Sequence, residues 1–331
     1  MTAYLGQGER GLRATLRAFA PHDWLVFVYL LVLNLALLPR IGSPSYASSA
    51  VRMGLLLGFF LLVVVAVRSG HLRDGLFAPL LYRIALQGTV QTSYFFFAAF
   101  LPLVNPRSYD STLHTLDIQL FGFEPCLALE PYIDGFTSEW FAFFYFCYFL
   151  ILALHTIPIL LFVEYERLLG EFAMGMLILF CMGHIFYMIV PGFGPVRALS
   201  HQFTLGFPHG FWVDTVMETV KSGGAQKDIF PSLHTAAPTF ITLFSFRNRR
   251  HLPYRFSWPI VGFFAANIIV ATLFLRWHWL IDVVAGLALA VLAWWLSVVL
   301  TRHELDRRLR HNLGRVWPCF GLRRSAPQAS R

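Results

Sequence analysis

The chain has 331 residues, of which 57% are hydrophobic, 17% aromatic and only 13% charged. Soluble domains carry about 25% charged residues, so this composition excludes disorder, collagen-like repeats and most water-soluble folds. The 26 basic against 18 acidic residues leave a formal net charge of +8. No basic patch is interleaved with aromatics as in a nucleic-acid groove, so the excess reads as a sign of membrane orientation, with no nucleic-acid partner. Cys126, Cys147, Cys181 and Cys319 lack metal-ligand spacing and read as core residues, not a disulfide framework.

A bilayer-spanning helix needs about 20 mostly apolar residues. Eight candidate spans follow in chain order, at 24–38, 50–67, 80–104, 140–163, 172–190, 233–246, 258–275 and 277–300. The expected fold class is therefore all-α: a polytopic integral membrane bundle of about eight transmembrane helices, with short interfacial helices. Residues 1–23 form an N-terminal segment, 24–300 the transmembrane domain and 301–331 a basic tail. No small-residue cleavage pattern follows the first span, which is expected to be a retained helix. The sixth span is the shortest, with Pro238 near its start. It covers only about two thirds of the hydrocarbon core, so its start is expected to be recessed.

With eight spans both chain ends share a side. That side collects Arg10, Arg13, Arg17, Arg68, Arg73, Arg167, Arg247, Arg249, Arg250, Arg255 and eight arginines after Leu300, which is 18 of the 26 basic residues. The positive-inside rule places both termini in the cytoplasm and the loops 105–139 and 191–231 outside. The stretch HTLDIQLFGFEPCLALEPYIDGF from His114 reads as short amphipathic helices at the outer interface. The tail, with RRLR from Arg307 and RR from Arg323, reads as an anchor attracted to anionic headgroups.

Two segments carry candidate chemistry: FPSLHTA from Phe230 and RWHWLIDVVAG from Arg276. One span leads in and one leads back between them, so both lie on the same face. Each places a histidine in the first turn of a membrane helix, where free N–H groups and the helix dipole favour an anion such as phosphate. His278 and Asp282 are four residues apart and stack on one helix face. A carboxylate bonded to one ring nitrogen fixes the tautomer and leaves the other nitrogen a better nucleophile or base. In the first segment Pro231 suits a helix start, Ser232 can cap or bind an oxyanion, and His234 is available as the acid for a leaving oxygen. Together these residues make a metal-free phosphoryl-transfer site.

At these residues the sequence resembles the type 2 phosphatidic acid phosphatase superfamily, whose second and third signature motifs look like PSLHTA and H-x-x-x-D-x-x-A-G. The resemblance covers roughly residues 140–300. It implies that His278 takes the phosphoryl group, Asp282 orients it, His234 protonates the leaving group and Ser232 binds phosphate, with no metal or other cofactor. Lipid phosphatases of this family usually carry an Arg six residues before the nucleophilic His, where this chain has Thr272, and their first motif is missing. The pattern T-x-x-x-R-x-H, with LFGFEP and PGFGP upstream, is similar to the inositol phosphorylceramide synthase branch. That likeness implies a lipid phosphate ester as substrate and water or an alcohol such as inositol as acceptor.

Some cation must neutralise the phosphate. The candidates are Arg276, which shares the helix start with His278, then Arg197, Lys221 and Lys227. Arg83, Gln87 and Gln91 recur every four residues on one helix face. They could line the pocket or a headgroup channel, but interhelical hydrogen bonding is the first expectation. His155 and His184 read as satisfied core histidines. A rival class is a transporter with His234, His278 and Asp282 as a relay; the chain lacks the inverted repeat such folds show.

Overall fold

The structure, a computed structural model, describes residues 11–72, 75–223 and 226–320. Arg10, Arg73 and the tail arginines from Arg323 onward lie outside the described residues. All regular structure among the described residues is helical: α1 (Leu12–Ala18), α2 (Pro21–Leu37), α3 (Tyr46–Arg68), α4 (Phe77–Arg83), α5 (Thr89–Phe95), α6 (Phe97–Val104), α7 (Asp110–Phe121), α8 (Pro125–Ala128), α9 (Gly135–Phe162), α10 (Glu166–Ile189), α11 (Pro195–Ala198), α12 (Phe211–Ser222), α13 (Leu233–Arg247), α14 (Tyr254–Phe274) and α15 (Leu280–Arg310).

Among the described residues six helices are long and apolar enough to cross a membrane: α2 with its following turn, α3, α9, α10, α14 and α15. The segment expected as one third span is broken. A π-helical turn at Ile84–Gly88 joins α4 to α5, and α6 departs at 69° after Phe95, so the broken pair makes at most a seventh crossing. The sixth expected span is α13, with 15 residues. At about 1.5 Å per residue it is shorter than a hydrocarbon core of about 30 Å. It still runs the depth of the bundle, from the Ser232 N–H bonded to the Asp282 carbonyl at one end to Arg247 paired with Glu171 at the other.

Helix α10 is the most enclosed of the long helices and forms the centre of the main core, with Phe172, Leu177 and Leu179 buried against α13, α15 and α2. In a bilayer, where lipid is as apolar as these side chains, their close van der Waals packing holds the bundle's interior together. Short helices close the end where α13 and α15 begin. There α7 and the loop after α10 enclose a smaller cluster of Leu113, Leu199, Ile229 and Trp279.

The opposite end is tied by ions. Arg68, with no exposed surface, donates its Nε–H to Asp23 Oδ2 at 2.7 Å and Nη1–H to the Val316 carbonyl at 2.9 Å. Tyr82 donates to the other Asp23 oxygen at 2.6 Å. Helix α15 continues ten residues past Leu300, and its RRLR segment is not a free anchor. Arg308 is buried, bonded to Glu304 at 2.6 Å and to the carbonyls of Ala18 and Gly314 at 2.6 and 2.7 Å. Arg307 bonds Glu304 and the carbonyls of Arg17 and Phe19. Guanidinium groups expected to meet lipid headgroups instead satisfy helix-end carbonyls, which need partners once buried.

Candidate active site

Ser232 is the N-cap of α13, its Oγ accepting the Thr235 N–H at 3.2 Å. Helix α15 starts from a turn in which the Thr272 carbonyl accepts the N–H groups of Trp277 and His278 at 3.0 and 3.2 Å. Arg276 sits in that turn with φ 65°, a conformation that costs an L-residue free energy and persists because both flanks are pinned. The two starts meet at Gly286, where a Cβ would lie 2.5 Å from the Ser232 carbonyl oxygen. The glycine of the second segment is thus a packing requirement that brings the two histidines together.

His278 Nδ1 lies 3.4 Å from Asp282 Oδ2, and that oxygen also accepts the Trp279 N–H at 2.9 Å. The other Asp282 oxygen is buried with no hydrogen-bond partner among the described residues. His234 and His278 have ring centroids 6.0 Å apart. The His234 ring lies against Tyr145 at 4.5 Å and Tyr148 at 4.2 Å, and its Nε2 is buried without a hydrogen-bond partner among the described residues. Reacting atoms approach to about 3–3.5 Å, so the gap between the rings suits a phosphorus centre reached from both sides.

Both rings line a cavity of about 700 Å³. Its wall is mostly aromatic and aliphatic, with Phe146, Phe149, Leu152 and Phe180 among its residues, a surface suited to an acyl or prenyl chain. Arg197 and Lys221 line the cavity as well, Arg197 stacked 4.2 Å from the centre of the Phe193 ring.

Arg276, the cation expected nearest the nucleophile, is not on this wall. It stacks 3.8 Å from the centre of Phe203, donates to the Leu205 carbonyl at 2.9 Å and lies 3.8 Å from Glu130. Burial depresses its basicity, while Glu130 supports its charge. Lys227 also turns away, its Nζ held by the carbonyls of Pro106 and Arg107 at 2.9 and 3.1 Å. Thr272 is fully buried and serves the turn through its carbonyl.

The anion-binding expectation for the α15 start also changes. Asp117 Oδ2 and Oδ1 accept the N–H groups of Leu280 and Ile281 at 2.7 and 2.8 Å, so a protein carboxylate already occupies that position. Asp110 accepts from the backbone of Phe193 and Gly194, both at 2.8 Å, and from Trp279 Nε1 at 3.2 Å. Gly194, at φ 82°, passes so close to the Trp277 carbonyl that a Cβ would lie 2.3 Å from its oxygen. Asp110 and Asp117 therefore tie the PGFGP loop and the start of α15 to α7. Their seven-residue spacing was the available signal for a shared inward face. Behind them, burial pushes the Glu124 carboxyl up to about 7. Cys126, beside it, directs its thiol at the His278 carbonyl oxygen at 3.7 Å.

Sequence reasoning also missed Asp228 and Tyr94, which line the cavity and hydrogen-bond each other. Burial pushes the Asp228 carboxyl above the usual range. Nothing in the local pattern marks Tyr94. Gln87 and Gln91 face the same cavity and make no hydrogen bond to another described residue, contrary to the interhelical bonding expected of them. Arg83 does bridge elements, donating to the carbonyls of Pro79 and Pro318 at 3.0 and 3.2 Å. His184 is a bonded core residue, 2.8 Å from the Tyr29 hydroxyl, and His155 lies 2.9 Å from the Ile151 carbonyl.

A profile of the PAP2 superfamily matches residues 111–296, more than half of the chain, and the chain belongs to that superfamily. It is accordingly a multi-pass membrane phosphoesterase of the phosphatase and phosphotransferase kind. No curated protein and no solved structure matches it.

Proposed function

We propose that this protein cleaves a phosphate ester of a membrane lipid in two displacements through a phosphohistidine. The observation that carries the reading is that the His278–Asp282 pair and the His234 ring, 6.0 Å from His278, meet at one cavity, with the His234 Nε2 lacking a partner among the described residues. In the first step a His278 ring nitrogen attacks phosphorus as the ester P–O bond breaks. The departing lipid oxygen takes its proton from His234. In the second step the oxygen of water or an alcohol attacks phosphorus, the P–N bond breaks, and its electron pair returns to His278. His234 takes the acceptor's proton, restoring both histidines. Asp282 stabilises the ring while it carries positive charge.

Arg197 and Lys221, on the cavity wall, neutralise the phosphate, while Ser232 is fully buried as the N-cap of α13. Arg276 and Lys227 act as positioning residues in this reading. The charge asymmetry supports cytoplasmic termini and a reaction at the extracytoplasmic leaflet. The test is product partitioning. Purified protein is given phosphatidic acid, ceramide 1-phosphate or a nitrophenyl phosphate in water containing a fixed concentration of inositol or glycerol. A shared phosphohistidine predicts the same ratio of free phosphate to alcohol phosphate from every donor. A donor-dependent ratio, or no turnover of any donor, contradicts it.

A further inference from the structure

Most donors that the two helix starts could offer a phosphate are engaged elsewhere. Ser232 is fully buried as a cap, and Asp117 takes the N–H groups of Leu280 and Ile281. Arg276 is turned onto Phe203 and the Leu205 carbonyl, and Lys227 onto two carbonyls of the loop before α7. Arg197 and Lys221, on the cavity wall, supply charge. Charge alone does not replace directed donors, because phosphoryl transfer is accelerated by groups aimed at the oxygens that hold negative charge in the transition state.

Tyr145 and Tyr148 stand where such donors are needed. Their three-residue spacing puts both on one face of α9. Both line the cavity beside His234, with ring centroids 4.5 and 4.2 Å from its own. Tyr145 also reaches the second segment, its ring centroid 6.4 Å from that of Trp277, one residue before His278. A phenol oxygen projects one bond beyond the ring edge, so each hydroxyl stays within a few ångströms of the His234 ring. The two tyrosines keep only 5% and 6% exposure. Neither hydroxyl bonds another described residue and neither is enclosed by protein, so the cavity is where each is open. Asp228 acts on both phenols electrostatically but takes its hydrogen bond from Tyr94. Burial favours the uncharged form of Asp228, which lessens its repulsion of an anion.

We infer that the Tyr145 and Tyr148 hydroxyls donate hydrogen bonds to the non-bridging oxygens of the phosphoryl group as it passes to and from His278. A buried tyrosine hydroxyl normally has a partner; here the substrate brings it. Both phenols keep their protons throughout, and His234 remains the group that exchanges a proton with the lipid oxygen. Each tyrosine thus holds the acid with its ring and the phosphate with its hydroxyl. The inference rests on the phosphoryl-transfer reading above and adds two catalytic residues to it.

The test uses the full chain in detergent with Tyr145→Phe and Tyr148→Phe, which remove a hydroxyl and keep the ring against His234. Each should lower kcat/KM for a short-chain phosphatidic acid about tenfold to a hundredfold, the worth of one hydrogen bond to a charged group. The same factor should appear with a nitrophenyl phosphate, whose leaving group needs no proton. Orthovanadate, which takes on the five-coordinate geometry of the transition state, should inhibit each variant more weakly by a similar factor. An inhibition constant does not depend on how much of a preparation is folded, so loss of active protein does not imitate that shift.

Turnover and vanadate inhibition within about twofold of the parent in both variants overturn the inference. A loss with phosphatidic acid that nitrophenyl phosphate restores also overturns it, because the hydroxyls then act only through His234. An effect confined to one variant overturns the assignment of the other tyrosine. If the parent protein forms phosphohistidine and these results appear, only the tyrosines are misassigned. If the parent forms no phosphohistidine and turns over no donor, the phosphoryl-transfer reading fails and the inference with it.

Discussion

Asp23 and Asp282 are both fully buried, at opposite ends of the bundle, and the contrast between them separates stability from chemistry. Both oxygens of Asp23 are engaged, by the Ala20 N–H at 2.8 Å, Arg68 at 2.7 Å and Tyr82 at 2.6 Å. Asp282 has one oxygen shared between the Trp279 N–H and a long 3.4 Å approach to His278, and the other has no partner among the described residues. A carboxylate closed by a guanidinium is a fixed structural charge. One left incompletely bonded beside an imidazole keeps capacity for positive charge that develops on that ring, which is what a phosphohistidine requires.

The largest effects should fall at the histidine end. His234→Ala and Asp282→Asn should each lower steady-state turnover of a lipid phosphate by about 10²–10⁴. A nitrophenyl phosphate, whose leaving group needs no proton, should restore much of the first step in His234→Ala but not in Asp282→Asn. Equal recovery of the two variants would erase the distinction between acid and orienting carboxylate. At the other end Arg68→Leu should cost about 3–5 kcal/mol, because it strands a buried charge. The thermal midpoint in detergent should drop by about 10 °C, and Asp23→Leu added to it should recover part of the loss. A midpoint unchanged in the single variant would make this network as dispensable as a surface pair.

A smaller effect is expected between the two regions. Asp117→Ala removes two charge-assisted bonds to the start of α15, each of about 1.5–3 kcal/mol, and loosens the frame that carries His278. Turnover should fall about tenfold or more, with partial recovery in Asp117→Asn, whose amide oxygen can still accept one bond. Loss of melting stability with no change in turnover would separate the frame from the chemistry. The smallest effect should come from Glu124. Its folded-state pKa, held up near 7 by burial, exceeds the ordinary value of 4.5. Its contribution to stability is therefore complete below about pH 4.5 and lost as pH rises through 7, by at most about 3 kcal/mol. Melting curves from pH 5 to 8 should fall with pH, and Glu124→Gln should flatten that slope. A slope unaltered in the variant would assign it to another group.

Much of the fold was legible because apolar run length and helix length are the same physical constraint. The exceptions are informative. The third apolar run, 80–104, contains no internal sign of the 69° break, since its polar residues could equally have paired with a neighbouring helix. Arg307 and Arg308 looked like surface charge because a sequence does not show which helix-end carbonyls lie within reach of a long side chain. At the site, His278 and Asp282 were readable from a four-residue spacing that local helix geometry fixes. Arg276 shares their helix start, yet its φ of 65° and the rings of Phe203 and Phe207 send it elsewhere. Asp228 and Tyr94 are 134 residues apart, and only the packing of α5 against the loop before α13 joins them.

The central claim is that His278 carries the phosphoryl group, and rapid quenching tests it most directly. Protein mixed with a short-chain phosphatidic acid, quenched in base and digested, should yield an acid-labile, base-stable phosphate on the peptide containing His278. His278→Ala should yield none, and His278→Asn should behave alike. A phosphate on another residue, an adduct that persists in His278→Ala, or full turnover in that variant would contradict the account.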